Sequence, residues 1–244
     1  MFGVPIARLL SDEALEAIGE LLDSESPSLV AYANAHTLNL AWSDVTYCEI
    51  LKGADLALND GSGVALAARM RGVRFPENLN GSDLNPKIIQ LAAARGARVF
   101  LLGGAGGVAE RAADRLARMA PGLKLVGTRD GYFPDAQSEE IVASIRATAA
   151  DLLLVAMGNP RQENWLAEHL AETGCRVGIG VGAFFDFTAG TQRRAPAWMN
   201  RLGVEWIFRL MREPSRMWRR YVLGNPLFLI RAWRTRTENS GSMG

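Results

Sequence analysis

The chain has 244 residues, 48% of them apolar and 22% charged, with a formal net charge of +1. These values exclude a disordered polar chain and a cysteine-dense secreted miniprotein. The near-neutral total hides an asymmetry. Residues 193–236 hold eleven arginines, four tryptophans, two acids and no lysine, a net of +9, whereas residues 1–192 carry −7. A mildly acidic body is joined to a basic, aromatic appendage, which favours an anionic ligand or surface. Trp and Arg also suit the lipid–water boundary.

No N-terminal segment has the charged-then-apolar pattern of a secretory signal. The longest uncharged apolar stretches, such as Val177 to Phe185, fall short of the roughly 20 residues that span a bilayer. The expectation is a soluble, cytoplasmic body. Cys48 and Cys175 stand alone and read as buried, reduced thiols. His36 and His169 are too isolated to suggest a metal site.

In chain order, Ser28–Asn34, Asp55–Asp60, Ala97–Gly104, Leu123–Thr128, Asp151–Gly158 and Arg176–Gly182 read as short buried strands. Helical patterns lie between them, among them Val108–Met119 and Ser138–Ala149. This alternation predicts an α/β fold with a mostly parallel sheet and helices on both faces. Domain boundaries are expected at 1–192 for the body, 193–236 for the appendage and 237–244 for a disordered tail. Within the appendage, Val204–Leu223 has helical character interrupted by Pro214. Either one kinked helix or two short ones fits, with Pro214 near the second N-terminus. Arg209, Arg212, Arg216 and Arg219 would share one face of an unbroken helix.

Ligands of open α/β sheets sit beyond the carboxyl ends of the strands. Here nearly every strand ends in a small or polar loop: Asn34; Asn59-Asp60-Gly61-Ser62-Gly63; Gly103 to Gly107; Gly158-Asn159-Pro160-Arg161-Gln162; and Gly182 to Asp186. Asp60 could serve as a general base if burial tunes it, and it equally fits a helix N-cap. Gly104-x-Gly106-x-x-Ala109, with Asp130 downstream, is a loose dinucleotide fingerprint. Gln162 carries an amide able to donate to and accept from a sugar or base; the plainer alternative for this loop is helix capping, with Arg161 and Glu163 exposed. Asp186 could read a base N–H or cap a turn. No Asp-x-Asp pair offers carboxylates to a metal-bound nucleotide sugar, and no nucleic-acid motif appears. From these residues alone a nucleotide-binding oxidoreductase and a non-catalytic membrane-binding module both stay open.

Together these segments resemble the WecG/TagA/CpsF family of bacterial glycosyltransferases (glycosyltransferase family 26) over residues 3–230. The stretches that carry the resemblance are Asn34-Ala35, Ala54–Gly63, Gly81-Ser82-Asp83-Leu84, Gly131-Tyr132-Phe133, Gly158–Trp165, Gly180–Gly190, Arg194-Ala195-Pro196 and Leu202–Pro214. The resemblance implies a Rossmann-like body and an inverting, metal-independent transfer with no cofactor. The sugar would move from a UDP-sugar to a polyprenyl-diphosphate-linked saccharide at the cytoplasmic membrane face, within cell-surface polysaccharide synthesis. It implies Asp60 as catalytic base, with Gln162 in substrate handling. Asn34, Gly61, Gly103, Gly104, Tyr132, Gly158, Asn159 and Asp186 would line the substrate pocket. Arg209, Arg216 and Arg219 would hold the acceptor diphosphate. Self-association into a homo-oligomer is also implied. Two pocket positions depart from the family pattern: Tyr32 stands where a Thr is common, and Asn78 where a cation is common.

Overall fold

A computed structural model describes residues 1–196, 198–199 and 204–241, the side chains of 216 and 236–241 excepted. Its centre is a six-stranded, wholly parallel sheet: β1 Ser28–Ala33, β2 Leu56–Asn59, β3 Arg98–Gly103, β4 Lys124–Arg129, β5 Leu152–Ala156 and β6 Val177–Gly180, in the order β2-β1-β6-β5-β3-β4. All six expected strands are present. Parallel strands are buried on both faces and so read as continuous apolar runs; β1, β2, β5 and β6 are buried along their whole length. β4 is an edge and stays partly exposed. The other edge, β2, is met at one point, where the N–H of Ala7 donates to the carbonyl of Ala57 at 2.8 Å.

Helices cover both faces. On one, α1 (Ser11–Asp23), α5 (Gly81–Ala94), α6 (Val108–Met119) and α9 (Phe184–Ala189) pack a core with Ile18, Leu58, Ile88, Leu101, Leu116 and Phe185. On the other, α2 (Ala35–Ser43), α3 (Val45–Lys52) and α4 (Ser62–Met70) enclose Leu38, Tyr47 and Val64. Beside them α7 (Ser138–Thr148) and α8 (Arg161–Thr173) enclose Ile141, Ile145 and Trp165. The fold is α/β and Rossmann-like. Cys48 and Cys175 are buried and free, as read from the sequence.

The topology fixes where loops diverge. From β3 the chain moves outward to β4, whereas from β5 it moves inward to β6. The loops therefore part between β3 and β5, the kind of crevice in which ligands of open sheets bind. At this boundary Gly103 has φ +138°, and a Cβ there would lie 2.4 Å from the Ala156 carbonyl oxygen. Only glycine lets the two strand ends close up.

Pro214 breaks the appendage into two helices, α10 (Glu205–Arg212) and α11 (Pro214–Trp218), with Pro214 in the first turn of the second. A π-helical segment, Arg219–Leu223, then leads into α12 (Gly224–Gly241). The expected single arginine face is therefore interrupted. Helix α12 anchors the appendage to the body. Asn39 donates to the carbonyl of Gly224 at 2.7 Å, and Arg231 donates to the Asn39 side-chain oxygen at 2.9 Å. Arg71 donates to the carbonyl of Ala232 and the hydroxyl of Thr235. Phe228 is fully buried, edge-on to Phe2. Helix α12 runs through Gly241. Residues 242–244 of the expected tail lie outside the described residues. No described helix is long and apolar enough to cross a membrane.

Phe228→Ala is expected to cost about 3–5 kcal/mol through the cavity it leaves. Denaturant melts check the stability, and limited proteolysis checks whether residues 205–241 become the first cleaved. A loss under about 1 kcal/mol, in the range of a tolerated surface change, would show that α12 is not the anchor.

Candidate active site

Five of the six strand-end loops meet as expected, and the sixth, after β4, joins them through backbone contacts. After β1, Asn34 caps α2, its Oδ1 accepting from the N–H groups of His36 and Thr37 at 3.0 Å each. The remaining end of that amide is directed at β2: Nδ2 donates to Asp60 Oδ2 at 3.1 Å. The N-cap of α4 is Gly61, at φ +93° and without a side-chain cap bond. The cap alternative for Asp60 therefore does not describe this loop; its carboxylate turns to Asn34. Asn78 shapes the turn, its Oδ1 accepting from the Gly61 N–H at 2.8 Å.

Burial is the largest influence on Asp60 and raises its pKa; the Asn34 hydrogen bond and the Arg209 and Arg220 guanidinium groups pull it back down, and Glu205 opposes them. A carboxylate with a raised pKa holds a proton more readily, which is what a base tuned towards neutral pH requires. His36, in the first turn of α2, is held neutral. Burial, with the charge of Arg220, lowers its pKa to about 4.

Gln162 sits at the centre of the rim, almost fully buried. Its Oε1 accepts from the N–H of Gly158 at 3.2 Å and of Gly182 at 3.0 Å, binding the loop after β5 to the loop after β6. Its Nε2 donates to Glu163 Oε1 at 2.7 Å. The amide expected to handle substrate is thus first a brace between loops. Glu163 is 1% exposed, which corrects the expectation of a solvated side chain: Tyr47, from an element 116 residues earlier, reaches it with a hydroxyl donor. Arg161 is likewise engaged, donating to the carbonyls of Gly131 and Phe133 and lying over the Phe133 ring.

The loop after β4 closes onto the switch point. The Gly131 N–H donates to the Gly104 carbonyl at 2.9 Å, and the Gly104 N–H to that of Ala156 at 2.9 Å. Asp130 accepts from the Tyr132 N–H and so caps this turn. Tyr132 presents an 80% exposed ring beside this crevice. Asp186, in the first turn of α9, accepts from the Thr191 hydroxyl at 3.1 Å.

Tyr32 lies apart from the rim surface. It is buried, and its hydroxyl donates to Asn85 Oδ1 at 2.6 Å. Of the three expected diphosphate arginines, Arg209 reaches the site. It lies 4.8 Å over Phe187, pairs with Glu205 at 3.1 Å and acts electrostatically on Asp60. Arg219 is exposed and stacks on Trp218 at 5.4 Å. The Arg216 side chain lies outside the described residues. Arg220, which the sequence reading passed over, acts on Asp60, His36 and Tyr47. The π-helical register that turns it inward carries no sequence signal. Further round the rim, Asp83 pairs with Arg194 and so joins two of the family-like segments.

Fold and rim define a doubly wound α/β protein with a tuned carboxylate and basic side chains at the strand carboxyl ends. The chain belongs to the glycosyl transferase WecG/TagA/CpsF family, whose model matches residues 1–242. It is an enzyme of the glycosyltransferase class, so the oxidoreductase and non-catalytic alternatives fall. A Bacillus spizizenii (strain W23) protein named N-acetylglucosaminyldiphosphoundecaprenol N-acetyl-beta-D-mannosaminyltransferase is 32% identical over 199 residues, 82% of this chain and 76% of its own length. The protein of the same name from Bacillus subtilis (strain 168) is 30% identical over 200 residues, 82% of this chain and 77% of its own length.

Because its carboxyl pKa is raised on folding, ionised Asp60 weakens the fold. Its favourable contribution is complete below the ordinary carboxylate range and is lost as pH rises through the raised value. Asp60→Asn should therefore stabilise the protein at pH 7, with the gain shrinking towards pH 4. Calorimetric melting at the two pH values checks this, and a lower Tm for the variant at pH 7 would contradict it.

Proposed function

We propose that this enzyme transfers a sugar from a UDP-sugar to a polyprenyl-diphosphate-linked saccharide, with inversion and without a metal. The observation that carries the proposal is Asp60: a burial-tuned carboxylate, oriented by Asn34 on the rim and faced by two arginines of the appendage. The similar Bacillus proteins carry the name of an N-acetylmannosaminyltransferase acting on a diphosphoundecaprenol-linked N-acetylglucosamine. That chemistry puts N-acetylhexosamine donors and a lipid-diphosphate acceptor first.

In this scheme the donor lies across the β3–β5 crevice, its base beside Tyr132 and Asp186. The acceptor hydroxyl oxygen attacks the anomeric carbon from the face opposite the diphosphate. Asp60 takes the hydroxyl proton, the new C–O bond forms, and the bond to the diphosphate breaks with its electron pair leaving on UDP. Single displacement inverts the anomeric centre. Charge grows on the departing diphosphate, and preorganised donors aimed at it lower the barrier. The guanidinium groups of Arg209 and Arg220 suit this role. Among the described residues no three His, Cys, Asp or Glu side chains are grouped to hold a metal ion.

The lipid end fits the appendage. Trp218, Val222, Leu223, Leu227, Ile230 and Trp233 are exposed there beside basic residues, an arrangement suited to an anionic lipid surface. Peripheral attachment at the cytoplasmic face of the membrane follows.

Transfer is measured as acceptor-dependent UDP release from a panel of UDP-sugars, with EDTA present. Asp60→Asn should lower kcat by about 10²–10⁴, the usual contribution of a general base. In the wild type, kcat should fall as pH drops through a value above the ordinary carboxylate range. Near-normal turnover by the variant, or release only with added divalent metal, would overturn the scheme. Replacing Trp218 and Trp233 by Ser should weaken co-sedimentation with anionic phospholipid vesicles while UDP binding persists; unchanged co-sedimentation would remove the appendage from the membrane contact.

A further inference from the structure

Beneath the rim lies a polar cluster that the transfer scheme does not use. A buried carboxylate is costly unless donors surround it, and three side chains converge on Glu163. Tyr47 Oη donates to Oε2 at 3.1 Å, Asn159 Nδ2 to Oε1 at 2.6 Å and Gln162 Nε2 to Oε1 at 2.7 Å. Oε1 accepts from both amides, so each turns its NH2 group inward. Gln162 is fixed twice over, since its Oε1 also accepts from two backbone N–H groups. Asn159 is partly exposed at the end of β5, and Glu163 claims its amino group. Its carbonyl oxygen is therefore directed away from the buried charge.

We propose that Glu163 is a positioning residue that locks the Asn159 amide in one orientation, so that the rim presents a carbonyl acceptor to substrate. Such an acceptor suits an N–H or O–H donor and repels phosphate oxygens. Asn159 then reads the sugar or base portion of the nucleotide sugar, and the diphosphate lies elsewhere. The assignment rests on the transferase reading for the identity of that ligand, and the orientation of the amide can be measured without it.

The test uses the full chain and two readouts. In the wild type, side-chain amide hydrogen exchange followed by NMR should show Asn159 Nδ2 protected. In Glu163→Gln, which must turn an amino group towards one of three donors, that protection should be lost. The donor KM should rise about tenfold, the worth of one hydrogen bond, with a smaller change in kcat and no change in the acceptor KM. Tyr47→Phe leaves the carboxylate in place but removes the phenol oxygen that the Asn159 amide also meets, and should lower the Asn159 protection only in part. Should Glu163→Gln not fold, Asn159→Ala removes the rim acceptor directly and should give the same rise in donor KM. Wild-type Asn159 protons that exchange as fast as an exposed amide, or a donor KM unchanged in the variants, would overturn the proposal. A wild type that transfers no sugar from any donor defeats the transferase reading instead, and amide protection still decides the role of Glu163.

Discussion

Two carboxylates taken out of water organise this rim, and the cost of burying charge explains most of what surrounds them. An ionised carboxyl group is tolerated in a protein interior only where donors replace its lost hydration. Glu163 has three side-chain donors. Asp60 has one amide from Asn34 and the more distant charges of Arg209 and Arg220. Burial raises the pKa of both carboxyl groups, so position rather than proton affinity separates their roles. Glu163 is 1% exposed and orients the amides around it; Asp60 stands on the rim, faced by basic side chains.

The loops need fixed points because the topology brings them from far apart in the chain. β5 and β6 are neighbours, yet their carboxyl-end loops are joined by Gln162, whose amide spans Gly158 and Gly182. The glycines at β3 and β4 serve the same end by allowing backbone contact where side chains would hold the strands apart. The site is therefore rigid across its centre, from β3 to β6. Its boundary on the appendage side is built from long arginine side chains.

The sheet was legible in the sequence because a parallel strand must be apolar on both faces, and that run stands out against amphipathic helices. All six strands could be placed, along with the loops at their ends. Asn34 and Asp60 were legible as rim residues for the same reason. What stayed hidden depends on tertiary partners. The burial of Glu163 cannot be read until Tyr47 arrives from α3. Nor can the partner of the Tyr32 hydroxyl, Asn85, be read from the local sequence. The diphosphate arginines come from the family resemblance, which names Arg209 but not Arg220, and the π-helical segment Arg219–Leu223 that carries Arg220 has no sequence signal.

That appendage also makes sense of the uneven charge. On the proposed scheme a body carrying −7 would repel a nucleotide diphosphate and a lipid diphosphate alike, so the cations that attract them must be supplied from outside the sheet. Placing them on a separate basic segment ties ligand capture to the docking of α12 through Phe228 and Arg71. It also gives the same arginines two environments. Those turned inward, Arg209 and Arg220, influence Asp60 and favour its ionised form. Those turned outward, such as Arg219 on Trp218, stay beside exposed apolar residues. On the proposed scheme one segment holds the acceptor's lipid end and lowers the cost of charge at its reacting end, and because Arg209 and Arg220 oppose the effect of burial on Asp60, the tuning of this carboxyl group depends on the appendage being docked.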